Sequence, residues 1–129
     1  MSAENVELVK TWFDRWNRGE RFLGEELHPE VEIESRFQPE PYRGPEGFRR
    51  WTEEVDEQFQ SWQIVIDEFR DSGGGEVVAL GRVHLVGHES GVPYEQPLGW
   101  IVRVDDEKLR HLRIFRDQAD ALAAAGLSR

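Results

Sequence analysis

The sequence predicts an α+β domain, a curved antiparallel sheet wrapped around N-terminal helices with one more helix at the C-terminus. Two patterns carry this expectation. Through the first sixty or so positions, apolar side chains recur every three or four residues, the period of a helix with one buried face. From Trp62 to about residue 116 the period drops to two, and the connectors are too short for parallel crossovers. Helices gathered at one end and strands at the other define the α+β class. The 129 residues suit a single domain spanning 1–129, and 38% hydrophobic residues with five Trp suffice for a packed core.

The elements follow in order. Val6, Val9, Trp12, Phe13 and Trp16 form one stripe of a first helix. Asn17-Arg18-Gly19 ends it, because glycine accepts the left-handed C-cap geometry. Phe22, Leu23 and Leu27 predict a short second helix that stops before Pro29. Strict alternation then puts Val31, Ile33, Ser35 and Phe37 on one face of a strand, with Glu32, Glu34 and Arg36 on the other. Gln38 to Gly44, with Pro39 and Pro41, reads as a loop, and Pro45 fits the first turn of a third helix. Phe48, Trp51, Val55 and Phe59 face inward from that helix, while Glu53, Glu54, Asp56 and Glu57 form a largely outward, solvated face.

Four strands are predicted at 62–70, 76–87, 94–104 and 108–116, joined as hairpins. Gly73-Gly74-Gly75 connects two of them; without a following helix or Lys-Ser/Thr it is a turn, not a phosphate cradle. A last helix begins near Asp117 and runs to Gly126. A sheet curled over these helices leaves a cavity, the feature on which function depends.

Composition excludes several classes of function. The absence of cysteine rules out a disulfide framework, a thiol nucleophile and a cysteine-based zinc site. Sixteen basic against 26 acidic residues give a formal charge of −10, which repels phosphate backbones, so no nucleic acid is expected as partner. Apolar runs are too short to span a bilayer, so no membrane association is expected and a cytoplasmic location is the default. His84 and His88 lie about 13 Å apart on a strand, His28 and His111 have no motif context, and no metal is expected.

The pieces "VKTWFDRWNRGE", "LHPEVEIES", "YRGPEGFRRW" and "LRIFRDQADALAAAGL", taken in this order, resemble the SnoaL-like polyketide cyclase branch of the nuclear transport factor 2-like superfamily. The resemblance covers essentially the whole chain. It implies a conical, cystatin-like α+β barrel with a pocket, commonly as a dimer, and functions ranging from polyketide cyclases, ketosteroid isomerases and limonene-epoxide hydrolases to noncatalytic binding proteins. Matched to ketosteroid isomerase, Trp12 stands at the tyrosine position, Ser35 at that of the base and Gly99 at that of the acid. None of the three can do its counterpart's work, so that reaction is not expected. Against limonene-epoxide hydrolase, Arg116-Asp117 resembles the closing Arg-Asp pair, and Arg82-Val83-His84 stands where an Arg-x-Asp is found, with histidine in place of the acid. Asp117 also corresponds to the acid/base of the cyclases.

Arg82 and His84 share a strand face with Val78, Leu80 and Val86, and polar groups on an apolar face need partners or a wet cavity. In the functional reading Arg82 polarises a substrate oxygen, His84 transfers a proton and Asp117 orients His84. The structural alternatives are a rim salt bridge for Arg82 and a helix N-cap for Asp117. Trp12, Trp16 and Trp51 would either fill the core, leaving a small cavity, or line an aromatic slot, with Ser35 and Gly99 as further lining positions. Val77, Ala79, Val83 and Leu85, with Leu98, Trp100, Val102 and Val104, make the other face apolar too, which predicts a homodimer through the outer sheet face. The expected function is binding of a small hydrophobic molecule, with cofactor-independent acid/base catalysis of cyclase, isomerase or epoxide-hydrolase type. The alternatives are a noncatalytic ligand-binding protein and a dimerisation or interaction module.

Overall fold

A computed structural model describes residues 2–20, 24–35, 38–88 and 90–127. Helix α1 (Ser2–Asn17) and a 3-10 turn (Gly24–Glu26) precede strand β1 (Leu27–Ser35) and the two-residue β2 (Tyr42–Arg43). Helix α2 (Gly44–Gln58) leads into the hairpin strands β3 (Phe59–Gly73), β4 (Glu76–Gly87), β5 (Pro93–Asp105) and β6 (Lys108–Phe115), and α3 (Gln118–Ala124) follows. The strands form one curved sheet in the order β2-β1-β6-β5-β4-β3. Neighbours are antiparallel except β1 and β6, which run parallel.

Local expectations differ from the structure at three places. Leu27 pairs with Leu109 and begins β1 rather than ending a helix; Phe22, Leu23, Arg36 and Phe37 lie outside the described residues. Within the expected loop, Tyr42 pairs with Ile33 and is buried, because its ring completes the core beside β1. Phe59, expected on the helix, adopts extended backbone at the α2 C-cap and starts β3.

The largest difference is which face of the central strands meets α1 and α2. Val77, Ala79, Val83 and Leu85 of β4 and Leu98, Trp100, Val102 and Val104 of β5 join the core containing Val9, Trp12, Trp16, Phe48 and Trp51. The alternate residues Val78, Leu80 and Ile101, with Phe115, pack under Ala121 and Leu122 of α3 on the convex face. The face expected to line the cavity is therefore the outer one. The row expected to need a second subunit, Val77 to Leu85 and Leu98 to Val104, is instead covered by α1 and α2, and the row that does face outward is buried by α3.

Curvature comes from irregular pairing in β3. Its register shifts between Phe59 and Ser61, Ile66 and Glu68, and Asp71 and Gly73, and such bulges bend a strand. At the middle shift the strands approach so closely that a Cβ on Gly81 would lie 2.0 Å from the Val65 carbonyl oxygen. The free edge of β3 is tied to α1 at Asn17, whose carbonyl accepts from Gln63 Nε2 at 3.3 Å. The Asn17 Nδ2 donates to the Ile64 carbonyl at 2.7 Å, and its Oδ1 accepts from the Ile64 N–H at 2.9 Å.

Asn17→Ala leaves both Ile64 groups without this partner, and it should lower the unfolding free energy by about 1–3 kcal/mol in urea denaturation. Gly81→Ala should lose at least about as much, since the added methyl meets backbone rather than a side chain that can swing away.

Candidate functional site

Between the concave sheet face and the helices lie two hollows that share Trp51, Ile64 and Trp100 in their walls. The smaller, about 50 Å³, is bounded by Val9, Trp12 and Trp16 of α1 and by apolar residues of α2 and the sheet. Here the helical stripe of α1 meets the strands, and the rings pack against one another edge-to-face or tilted. Trp16 lies 5.1 Å from Trp51 and 4.9 Å from Trp62, centroid to centroid, with Phe48 at 6.2 Å. This cluster fills most of one end of the cone.

The larger hollow, about 230 Å³, opens between α2, β1 and β3–β5. Its walls include Trp62, Leu85, Leu98 and Trp100, and its polar groups include Ser35, Tyr42, Glu54, Gln58 and Gln96. Trp51, Glu54, Val55 and Gln58 reach it together because positions i, i+3, i+4 and i+7 share one face of a helix. That spacing was the signal for Glu54, which had been grouped with the outward acidic residues of the same helix.

Tyr42 and Glu54 form the polar centre of this wall, with the phenol hydroxyl donating to Glu54 Oε1. Burial pushes the Tyr42 pKa up to about 12, assisted by the hydrogen bond and by the negative charge of Glu54. Arg50, whose guanidinium stands 5.2 Å from the ring centroid, works in the opposite direction. Close by, Trp62 Nε1 donates to Asp56 Oδ1 at 3.0 Å.

Of the residues singled out from sequence, Trp12 and Trp16 bound the small hollow, Trp51 both, and Ser35 the larger one. Gly99 does not line either. It lies on the convex face under α3, where a Cβ would come 2.6 Å from that of Ala121. Arg82 and His84 also project from the convex face, because Val83 and Leu85 between and beyond them point into the cone. There Arg82 Nη1 lies 2.6 Å from Asp67 Oδ2 and its Nε 3.5 Å from Glu95 Oε1, while His84 Nδ1 lies 3.0 Å from Glu95 Oε2. Asp117 is the exposed N-cap of α3, accepting from the Ala119 N–H at 2.8 Å. The structure thus separates Arg82, His84 and Asp117 from the hollow instead of converging them on it.

Among the described residues, one group has metal-ligand chemistry. Glu32, Glu34 and His111 bring potential ligand atoms within 4.8 Å of one another, a juxtaposition that the parallel pairing of β1 and β6 creates. His111 Nε2 already lies 3.1 Å from Glu34 Oε1, and Arg43 Nε lies 3.8 Å from Glu32 Oε1.

A curved sheet wrapped on helices around such a hollow places the protein in the nuclear transport factor 2-like class of folds. Within it, the SnoaL-like domain model matches residues 9–112, and the chain belongs to that family. Solved structures agree on the fold. A nuclear transport factor 2-like protein of unknown function from Burkholderia pseudomallei superimposes with a TM-score of 0.78 at 15% identity, covering 92% of this chain and 95% of its own. A hypothetical protein with a ketosteroid isomerase-like fold from Catenulispora acidiphila, in complex with trimethylamine, gives 0.77 at 17% identity, covering 95% and 94%. A protein from Jannaschia sp. CCS1 described as a SnoaL-like polyketide cyclase gives 0.75 at 19% identity, covering 99% and 95%. No curated protein matches the sequence. Among the described residues, no helix is long and apolar enough to cross a membrane.

The raised pKa makes stability depend on pH at the alkaline end. An unfolded tyrosine ionises at about 10, whereas Tyr42 in the fold stays neutral until about 12. Its contribution is therefore full below pH of about 10 and is lost as pH rises towards 12. Urea midpoints measured at several pH values from 9 upward should fall less steeply for Tyr42→Phe than for the unaltered protein.

Proposed function

We propose that this protein binds a small, largely apolar molecule in the larger hollow. The observation that carries this reading is the hollow itself: about 230 Å³ with aromatic and aliphatic walls and a few polar groups gathered on one side. Small-molecule sites are built this way, since apolar walls supply affinity and a few placed polar atoms supply orientation. The Catenulispora protein of the same fold was solved with a small molecule, trimethylamine, which is in keeping with it.

In the catalytic version, the acid/base work expected of Arg82, His84 and Asp117 falls to Glu54, which borders the hollow as they do not. Glu54 accepts the proton and Tyr42 fixes the carboxylate, as a cofactor-independent cyclase, isomerase or epoxide-hydrolase-like reaction requires. One observation favours the noncatalytic version: the Tyr42 hydroxyl already donates to Glu54 Oε1 and occupies that oxygen. A homodimer through the outer sheet face would have to use the charged surface around Arg82, His84 and Glu95, because α3 covers the apolar row.

Isothermal titration with 2-phenylethanol, a small neutral aromatic probe, tests the site. Saturable binding is expected, and Gln96→Trp, which puts a bulky ring into the wall, should weaken it at least about tenfold, or about 1.4 kcal/mol. His84→Ala and Asp117→Ala should bind as the unaltered protein does. Equal binding by the Gln96→Trp variant would reject the hollow as the ligand site, as would absence of binding by this probe together with its amine and acid counterparts, phenethylamine and phenylacetate.

A further inference from the structure

The charge of the lining is one-sided. Glu54 is the sole charged side chain among the described residues that border the larger hollow, and neither lysine nor arginine is among them. Around it stand π-systems from three elements: Trp51 of α2, Phe59 and Trp62 of β3, and Tyr94 and Trp100 of β5. We infer that the hollow selects an organic cation, an amine or ammonium group carried on a compact apolar body. This deepens the reading of the hollow as a ligand site and rests on it.

Three physical arguments support a cation over a neutral or anionic ligand. A carboxylate bordering an apolar space gains most from a counter-charge, and an anion would meet repulsion with no cationic side chain among the described lining residues to offset it. Aromatic faces attract ammonium groups through the ring quadrupole, most strongly where water is displaced. The carboxylate is also held in position. Tyr42 donates to Oε1, and a carboxylate has two accepting oxygens, so that bond uses only part of its capacity.

The surroundings reinforce the sign. Asp56 sits against the indole N–H of Trp62 at 3.0 Å, adding a second negative charge behind one wall. The formal charge of −10 on the whole chain favours approach of cations over anions. Arg50 stands exposed against the Tyr42 ring and is not part of the lining.

The test uses three probes of matched shape on the full chain: phenethylamine, 2-phenylethanol and phenylacetate, titrated calorimetrically near neutral pH. The amine should bind at least about tenfold more tightly than the alcohol, the size expected of a desolvated cation–π contact combined with an ion pair. Phenylacetate should bind most weakly. Glu54→Gln keeps the shape and a hydrogen-bonding group for Tyr42; it should erase the preference, bringing the amine and the alcohol to within about twofold of each other. Glu54→Ala serves the same purpose if the first variant does not fold.

Saturable binding in which the alcohol or the acid equals or exceeds the amine would overturn the cation assignment and leave the hollow standing as a site. A preference for the amine that survives in the Glu54 variants would trace to the overall charge of the protein, and would also overturn it. Failure of all three probes to bind would remove the ligand site and the inference together.

Discussion

Water must be kept from both faces of the central strands. β4 and β5 carry apolar residues at consecutive positions, Val77-Val78-Ala79-Leu80 and Trp100-Ile101-Val102, and all of them are buried. A strand presents alternate residues to opposite faces, so such runs demand cover on each side. Helices α1 and α2 cover the concave face and α3 the convex one. The small helix suffices because Gly99 lets it lie directly on β5, with Ala121 seated where a side chain would otherwise stand.

The hollow is a consequence of covering a bent surface with straight helices. Bulges in β3 and the side-chain-free approach at Gly81 turn the outer strands, while Asn17 pins the end of α1 to that same edge. Interlocked tryptophan and phenylalanine rings fill the space where α1 meets the sheet. Beneath the last turns of α2 the rings of Trp51, Trp62 and Trp100 border a space of about 230 Å³ rather than filling it. Close packing elsewhere in the core makes such a space informative, since protein interiors rarely leave voids of this size without use.

Charge is distributed very differently on the two sides of the sheet. Outside, Arg82 is shared between Asp67 and Glu95, and Glu95 also meets His84. These groups are about half exposed, and exposed ion pairs of this kind contribute little to stability. They do keep the strands beyond α3 from offering a bare apolar surface. Inside, one carboxylate is held by a phenol that will not ionise at neutral pH. The two-residue strand β2 matters because it delivers that phenol: pairing with β1 brings Tyr42 into the core opposite α2.

Periodicity and turn chemistry determined the kinds of element, their order and the α+β class, because these depend on neighbours within a few residues. The stripe Val9, Trp12 and Trp16 and the hairpin strands from Trp62 onward were legible for that reason, as were the family resemblance and the aromatic walls. Long-range pairing decided the rest. Leu27 entered a strand because Leu109 lies beside it, and Tyr42 because of Ile33. Which face of β4 looks into the cone could not be read locally, since both of its faces are apolar and an alternation has no inherent inside. Docking of α3 on Val78 and Leu80 of β4 and on Gly99 and Ile101 of β5 decided it, turning Arg82 and His84 outward with them and leaving Glu54 and Tyr42 at the hollow.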